Sequence, residues 1–327
     1  MHIPTPVGGT PLHVDGVPSI IFAVAYGLLF PFILARMFRP GRRSILLVGT
    51  SVFAIERVVV YALRATQAYN PAKQTSGGLL IYLQLSFAQG YITMAQDTVP
   101  LLRVLLVHAT NPPDVIEPRH EDGAETVVDP TDQPRTRFWV RRASDILNLS
   151  FMAATIPNGV QGAKYKDALH DQRSADKLQR FRYASTSVTV VLMLIIAMWT
   201  LCAYFRMANV RRAACAISIL TAISLQLPVA INRLAVMHYT IPDLLFTGPG
   251  SQQSSGAKAL FYVFHCLPEW LAAALLVLPN TRQLFRTGPW GDWRGHDGQK
   301  GCAEARKERR EEREGKRLAI TNTSSQV

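Results

Sequence analysis

The stretch FAIERVVVYALRAT (residues 53–66) decides how this chain is read. It belongs to a long apolar run, yet it carries Glu56 and Arg57 side by side. At the centre of a membrane helix an Arg or Asp costs about 2.5–3.5 kcal/mol, while each Leu, Ile, Val or Phe returns only about 0.3–0.6. Two such charges cancel most of the gain from a dozen apolar residues, so lipid is the wrong surrounding for them. They are expected inside a helix bundle, each paired with a group from another helix. Adjacent helix residues point about 100° apart, so the two serve each other poorly.

The surrounding sequence repeats the apolar run. With 48% hydrophobic residues and a net charge of +12, the chain segregates its charge into short connections and a polar tail. A bilayer core needs about 20 apolar residues per helix. Seven runs qualify, at residues 18–37, 44–64, 78–107, 138–160, 183–205, 211–237 and 257–284. The expected fold is therefore all-α, a polytopic seven-transmembrane-helix bundle. Residues 1–17 read as a short extracellular tail, 18–285 as the transmembrane domain and 286–327 as a basic cytosolic tail.

Positive residues mark the cytosolic loops. Arg36, Arg39, Arg42 and Arg43 follow the first span, Arg135, Arg137, Arg141 and Arg142 precede the fourth, and Arg206, Arg211 and Arg212 follow the fifth. Residues 1–17 and 239–257 hold no Lys or Arg. The N-terminus is thus expected outside and the C-terminus in the cytosol. One loop runs against this rule: KYKDALHDQRSADKLQRFR (residues 164–182) puts six basic residues on the expected outer side.

The third span carries a stripe. Tyr82, Ser86, Gln89, Thr93, Gln96, Pro100 and Arg103 recur at spacings of four and three, which places them on one helix face, with Asp97 beside it. Such a stripe either lines a cavity or hydrogen-bonds neighbouring helices. Gln89, Thr93, Gln96 and Asp97 are the candidates for lining a ligand site or pathway. Arg103 reads as an anchor that snorkels to the inner surface.

The seventh run, ALFYVFHCLPEWLAAALLVLPN, sets Tyr262, His265 and Glu269 on one helical face and adds them to the lining. Glu269 and Arg57 are the expected interhelical pair, with His265 tuning it and Glu56 and Arg233 as further charge-pairing residues. In the fourth span Asp145 is expected to pair with Arg141 or Arg142. The fifth span is nearly free of polar groups and reads as lipid-facing. His265 and Glu269 offer only two metal ligands, too few for a specific site, so no metal or cofactor is expected. Hydrolase and phosphate-loop motifs are absent from the sequence, and its basic residues follow topology rather than aromatics. Neither an enzyme nor a nucleic-acid partner is expected.

PTPVGGTP, ERVVVYALRATQA, RTRFWVRR, INRLAVMHYT and AKALFYVFHCLPEWLA with the later GPWGDWR resemble a family of fungal seven-helix proteins. That family is loosely named family C-like G-protein-coupled receptors, and the resemblance runs over about residues 3–295. FAIERVVVYALR and YVFHCLPE are similar in character to fungal lipid-translocating exporters of the aminocholesterol-resistance type. The first resemblance implies a receptor-like protein that binds a small or lipidic ligand in a polar bundle interior. The second implies a lipid or amphiphile transporter. Membrane lipids are expected partners, and a cytosolic signalling partner is expected at residues 108–137 and 286–327. The expected location is the plasma membrane ahead of internal membranes.

Overall fold

A computed structural model describes residues 2–39, 43–110, 133–206, 210–288 and 290–292. Most of the connection expected at 108–137, and the tail from residue 293 onward with Trp293, lie outside the described residues. The chain divides into two units, Met1–Gly291 and Asp292–Val327.

The first unit is all-α apart from a two-stranded pairing of β1 (Ile3–Pro4) with β2 (Thr240–Ile241). Its helices are α1 (Gly16–Gly27), α2 (Phe30–Phe38), α3 (Val48–Tyr69), α4 (Pro71–Gln74), α5 (Gly77–Ala109), α6 (Pro134–Lys164), α7 (Gln172–Arg206) and α8 (Val210–Met237). After β2 come α9 (Ser255–Phe261), a π-helical turn (Tyr262–Cys266), α10 (Leu267–Val277) and α11 (Thr281–Phe285).

Among the described residues, four stretches are long and apolar enough to cross a membrane: His13–Phe38, Gln172–Arg206, Ala213–Met237 and Ser255–Val277. Their outward faces are oily. Val17, Ile20, Ile21 and Val24 of α1, and Val188, Val191, Leu194 and Met198 of α7, are all exposed. Exposed apolar surface on this scale is the mark of a membrane protein. The opposite face of α7 is not lipid-facing, because Ser185, Thr186, Thr189 and Thr200 are buried on it. The fifth run is thus amphipathic by packing, a property that hydroxyls bonded back to their own helix conceal in the sequence: Thr189 donates to the Ser185 carbonyl at 2.8 Å and Thr200 to that of Ile196 at 2.7 Å.

Prolines interrupt the helices where their missing N–H dictates. Pro31 sits at the start of α2, so the first apolar run breaks after Gly27 into two helices. Pro268 opens α10 directly after the π-helical turn. Two large apolar clusters fill the bundle. One joins α5, α7 and α8 around Tyr91, Met193, Ile219 and Val229, and the other joins α1, α3 and the π-helical turn around Tyr26, Tyr61, Phe87 and Phe261.

Residues 2–15, expected as a tail, are built into one end of this bundle. Val7 donates its amide to Gln84 Oε1 at 2.9 Å and accepts from Gln84 Nε2 at 3.1 Å. The basic 164–182 loop packs against the same segment: Tyr165 donates to the Pro4 carbonyl at 3.0 Å and Arg182 to that of Thr5 at 3.0 Å. Burial pushes the Tyr165 hydroxyl up to about 12. Asp171 caps α7, and hydrogen bonds from the Ser174 hydroxyl and amide hold its carboxyl below the usual range. The loop, the N-terminal segment and β2 therefore share one end of the bundle.

Candidate functional site

Arg57 is fully buried, and its guanidinium is the hub of the interior. Nε and Nη2 donate to the two carboxylate oxygens of Glu269 at 3.0 and 2.8 Å, a bidentate pair between α3 and α10. Nη1 donates to Ser86 Oγ at 2.5 Å, and Nη2 also reaches the Ser86 carbonyl at 3.2 Å. The cation lies 4.3 Å from the Phe53 ring centre and 5.1 Å from that of Phe87. Glu56 touches Arg57 only at 3.5 Å and keeps 30% of its side chain exposed. The two charges that opened the problem part ways: one turns to the core and the other to the edge of a cavity.

That cavity, about 440 Å³, lies between α3 and α5. Val48, Gly49, Val52, Phe53 and Glu56 line it from α3, and Tyr82, Leu85, Ser86, Gln89, Gly90 and Thr93 from α5. Val48 and Val52 are exposed at its rim. A Cβ on Gly90 would meet Phe53, Arg57 and Glu269, so the absence of a side chain there lets the hub press against the cavity wall.

The polar stripe of α5 therefore does two different things. Its first half, Tyr82 to Thr93, lines the cavity. Its second half binds α6: Gln96 donates to Asn148 Oδ1 at 2.9 Å, and Arg103 forms an ion pair with Asp145 at 3.0 Å. Gln96 is interhelical glue, and Arg103 is tied to α6 by its ion pair. Asp145 thus takes a partner from the neighbouring helix α5, a contact that the sequence reading did not anticipate. Asp97 lines nothing in the cavity. It accepts from the Thr50 amide at 2.5 Å and hydroxyl at 2.8 Å, and so caps the N-terminus of α3 from a neighbouring helix. Gly49 leaves room for this carboxylate, since a Cβ there would meet both of its oxygens.

Tyr262, His265 and Glu269 do not act on one site. The π-helical turn inserts extra residues per turn and rotates the phase of everything beyond it. Glu269 reaches Arg57, whereas His265 stacks on Phe261 at 5.2 Å and meets Phe87 edge-on at 5.6 Å. Neither ring nitrogen of His265 has a hydrogen-bond partner among the described residues, so it does not tune the pair by contact. Tyr262 belongs to a second polar cluster. Its hydroxyl lies 2.9 Å from Asp15 Oδ1 and 3.0 Å from Ser19 Oγ, and it accepts from Arg64 Nε at 3.2 Å.

Asp15 is the centre of that cluster. It is fully buried and pairs with Arg64 at 2.9 Å and Lys258 at 2.7 Å. Arg64 and Lys258 also donate to the Gly8 carbonyl, at 2.5 and 3.0 Å. The cluster locks residues 8–15 onto α3 and α9. It was readable only in part: Arg64 lies seven residues after Arg57, two turns along the same face, which hints at a second buried cation.

Arg233 makes no ion pair among the described residues. Its guanidinium lies 5.4 Å from the Tyr91 ring centre, a cation–π contact worth about 2 kcal/mol or more when desolvated. It is 1% exposed, near the C-terminal end of α8. Arg36, at the opposite end of the bundle, donates to the Leu276 and Pro279 carbonyls at 2.9 and 2.7 Å and so caps α10. Among the described residues, no group of three His, Cys, Asp or Glu side chains converges.

Comparison with known proteins returns nothing: no family model matches the chain, and no curated protein or solved structure matches it.

Proposed function

We propose that this chain is a seven-span integral membrane protein, N-terminus outside and C-terminus cytosolic, that binds a lipidic ligand in the cavity between α3 and α5. The reading is receptor-like and places the protein at the plasma membrane. One observation carries it: an apolar cavity with a half-exposed rim, edged by a single carboxylate, has the Arg57–Glu269 pair directly behind its Gly90 wall. An alkyl chain fits against Val48, Val52, Phe53 and Leu85. A head group that donates hydrogen bonds meets Glu56, Tyr82, Gln89 and Thr93. Occupancy pushes on Phe53 and Gly90, and thereby on the polar network that ties α3, α5 and α10 together. Residues 108–137 and 286–327 then present the change to a cytosolic partner.

Lipid or amphiphile translocation is the second reading. It is favoured by the exposure of Val48 and Val52 at the cavity rim, which leaves the cavity reachable from the surface of the bundle. The two family resemblances in the sequence divide along the same line.

The test uses full-length protein in nanodiscs with a photoreactive alkyl amine and a photoreactive phospholipid. Labelling is expected on residues 48–56 and 82–93, and Val52→Trp, at an exposed rim position, should suppress it. Labelling spread evenly over all apolar faces and indifferent to Val52→Trp would refute the cavity as the site. In proteoliposomes with a labelled phospholipid, flux that disappears in Glu269→Gln would replace the receptor reading with translocation.

A further inference from the structure

Away from the cavity, the bundle buries more positive charge than its carboxylates answer. Arg64 and Lys258 share Asp15, and Arg57 takes Glu269. Arg182 and Arg233 are 3% and 1% exposed, and neither forms an ion pair among the described residues. Arg182 spends Nη2 on the Thr5 carbonyl and leaves Nη1 without a partner. Arg233 leaves both Nε and Nη1 without one. Contacts link them: Arg233 lies over the Tyr91 ring, the Tyr91 hydroxyl meets Thr186 one turn along α7 from Arg182, and His265, whose two ring nitrogens are equally unpartnered, packs on Phe87 one turn before Tyr91.

Cations buried in a medium of low dielectric are held there only by something that answers them. Tyr91 answers Arg233 on one face through its ring, and its hydroxyl lies 3.3 Å from Thr186 Oγ1, which adds hydroxyl groups beside the cations. The unpartnered N–H groups point to an acceptor that also carries charge. Water fills hydrogen bonds but leaves the surplus of charge untouched. A multiply charged anion is disfavoured, because Glu269, four residues beyond His265, already buries a carboxylate in the same interior.

We propose that Arg182 and Arg233, with His265 at the margin, hold a small singly charged anion of chloride or short-carboxylate size between α7 and α8. This site is separate from the α3–α5 cavity and does not rest on the function proposed for it. The anion screens the two guanidinium groups from each other and lets α7 and α8 pack with both buried. It thereby steadies the N-terminal segment, which Arg182 holds through Thr5.

The experiment is thermal unfolding of the full-length protein in detergent at fixed ionic strength, with gluconate as the bulky reference anion. Chloride, acetate and phosphate are titrated in separately, which distinguishes a halide site from a carboxylate site. Chloride or acetate is expected to raise the midpoint in a saturable way, while phosphate is not. Arg233→Met should keep its fold and lose the anion dependence. Where that variant does not accumulate, bromide and anomalous scattering on crystals of the unaltered protein give the same answer: a peak beside Arg233 supports the site. An unaltered protein equally stable in gluconate and in every other anion, or bromide absent from that position, overturns the proposal in favour of bound water. Val52→Trp should retain the anion response, so a failure of the cavity leaves this site standing.

Discussion

Removing both members of the Arg57–Glu269 pair should cost far less than the sum of removing each. Leaving one partner of a buried ion pair behind costs about 3–5 kcal/mol, whereas replacing the whole pair with apolar groups is often neutral or better. The geometry ranks the two single variants. In Glu269→Met, Arg57 keeps Ser86, the rings of Phe53 and Phe87, and Glu56 at 3.5 Å, so the loss should fall near 3 kcal/mol. In Arg57→Met, Glu269 loses both hydrogen bonds that it accepts among the described residues, so the loss should fall near 5 kcal/mol. Additivity would put the double methionine variant near 8 kcal/mol. Coupling should hold it below about 3 kcal/mol, the share of Arg57 in its Ser86 hydrogen bonds and cation–π contacts. Unfolding free energies from denaturing-detergent titration of mixed micelles measure all four corners of the cycle. Single variants within about 1 kcal/mol of the parent, or a double variant at the additive value, would refute the hub.

The close approach at Gly90 predicts that Gly90→Ala costs about 1–3 kcal/mol by overpacking against Phe53 and Arg57, with a shifted α3–α5 distance by spin-label ranging. Asp15→Asn leaves Arg64 and Lys258 buried with a neutral partner, so it should cost about 3–5 kcal/mol and open residues 2–14 to proteolysis well before the bundle unfolds. Asp97→Asn weakens the borrowed cap of α3 and should cost about 1 kcal/mol, with faster amide exchange confined to residues 48–51. Exchange that rises across the whole of α3 instead would contradict the capping role.

Hydropathy and charge placement already carried the class of the fold. Apolar runs exclude water from their surfaces wherever they end up, so their length and composition are readable without neighbours. The same reasoning put Arg57 and Glu269 inside, because a charge in an apolar run has few other places to go, whereas Glu56 reaches only the edge of the cavity. It also found the stripe on α5, since helical periodicity is a local property.

Partner choice was not local. Arg57 and Glu269 are 212 residues apart, and Asp15 and Arg64 are 49 apart, so only the packed bundle decides that each cation takes its particular carboxylate. Periodicity assigned Tyr262, His265 and Glu269 to one face, and a single π-helical turn rotated them onto three different neighbours. The stripe on α5 is continuous in sequence, but α3 gapes from its first half while α6 closes on its second. Side-chain spacing states which face a residue occupies. What that face meets depends on helix length, proline breaks and the angle at which the next helix crosses, and those are properties of the tertiary structure alone.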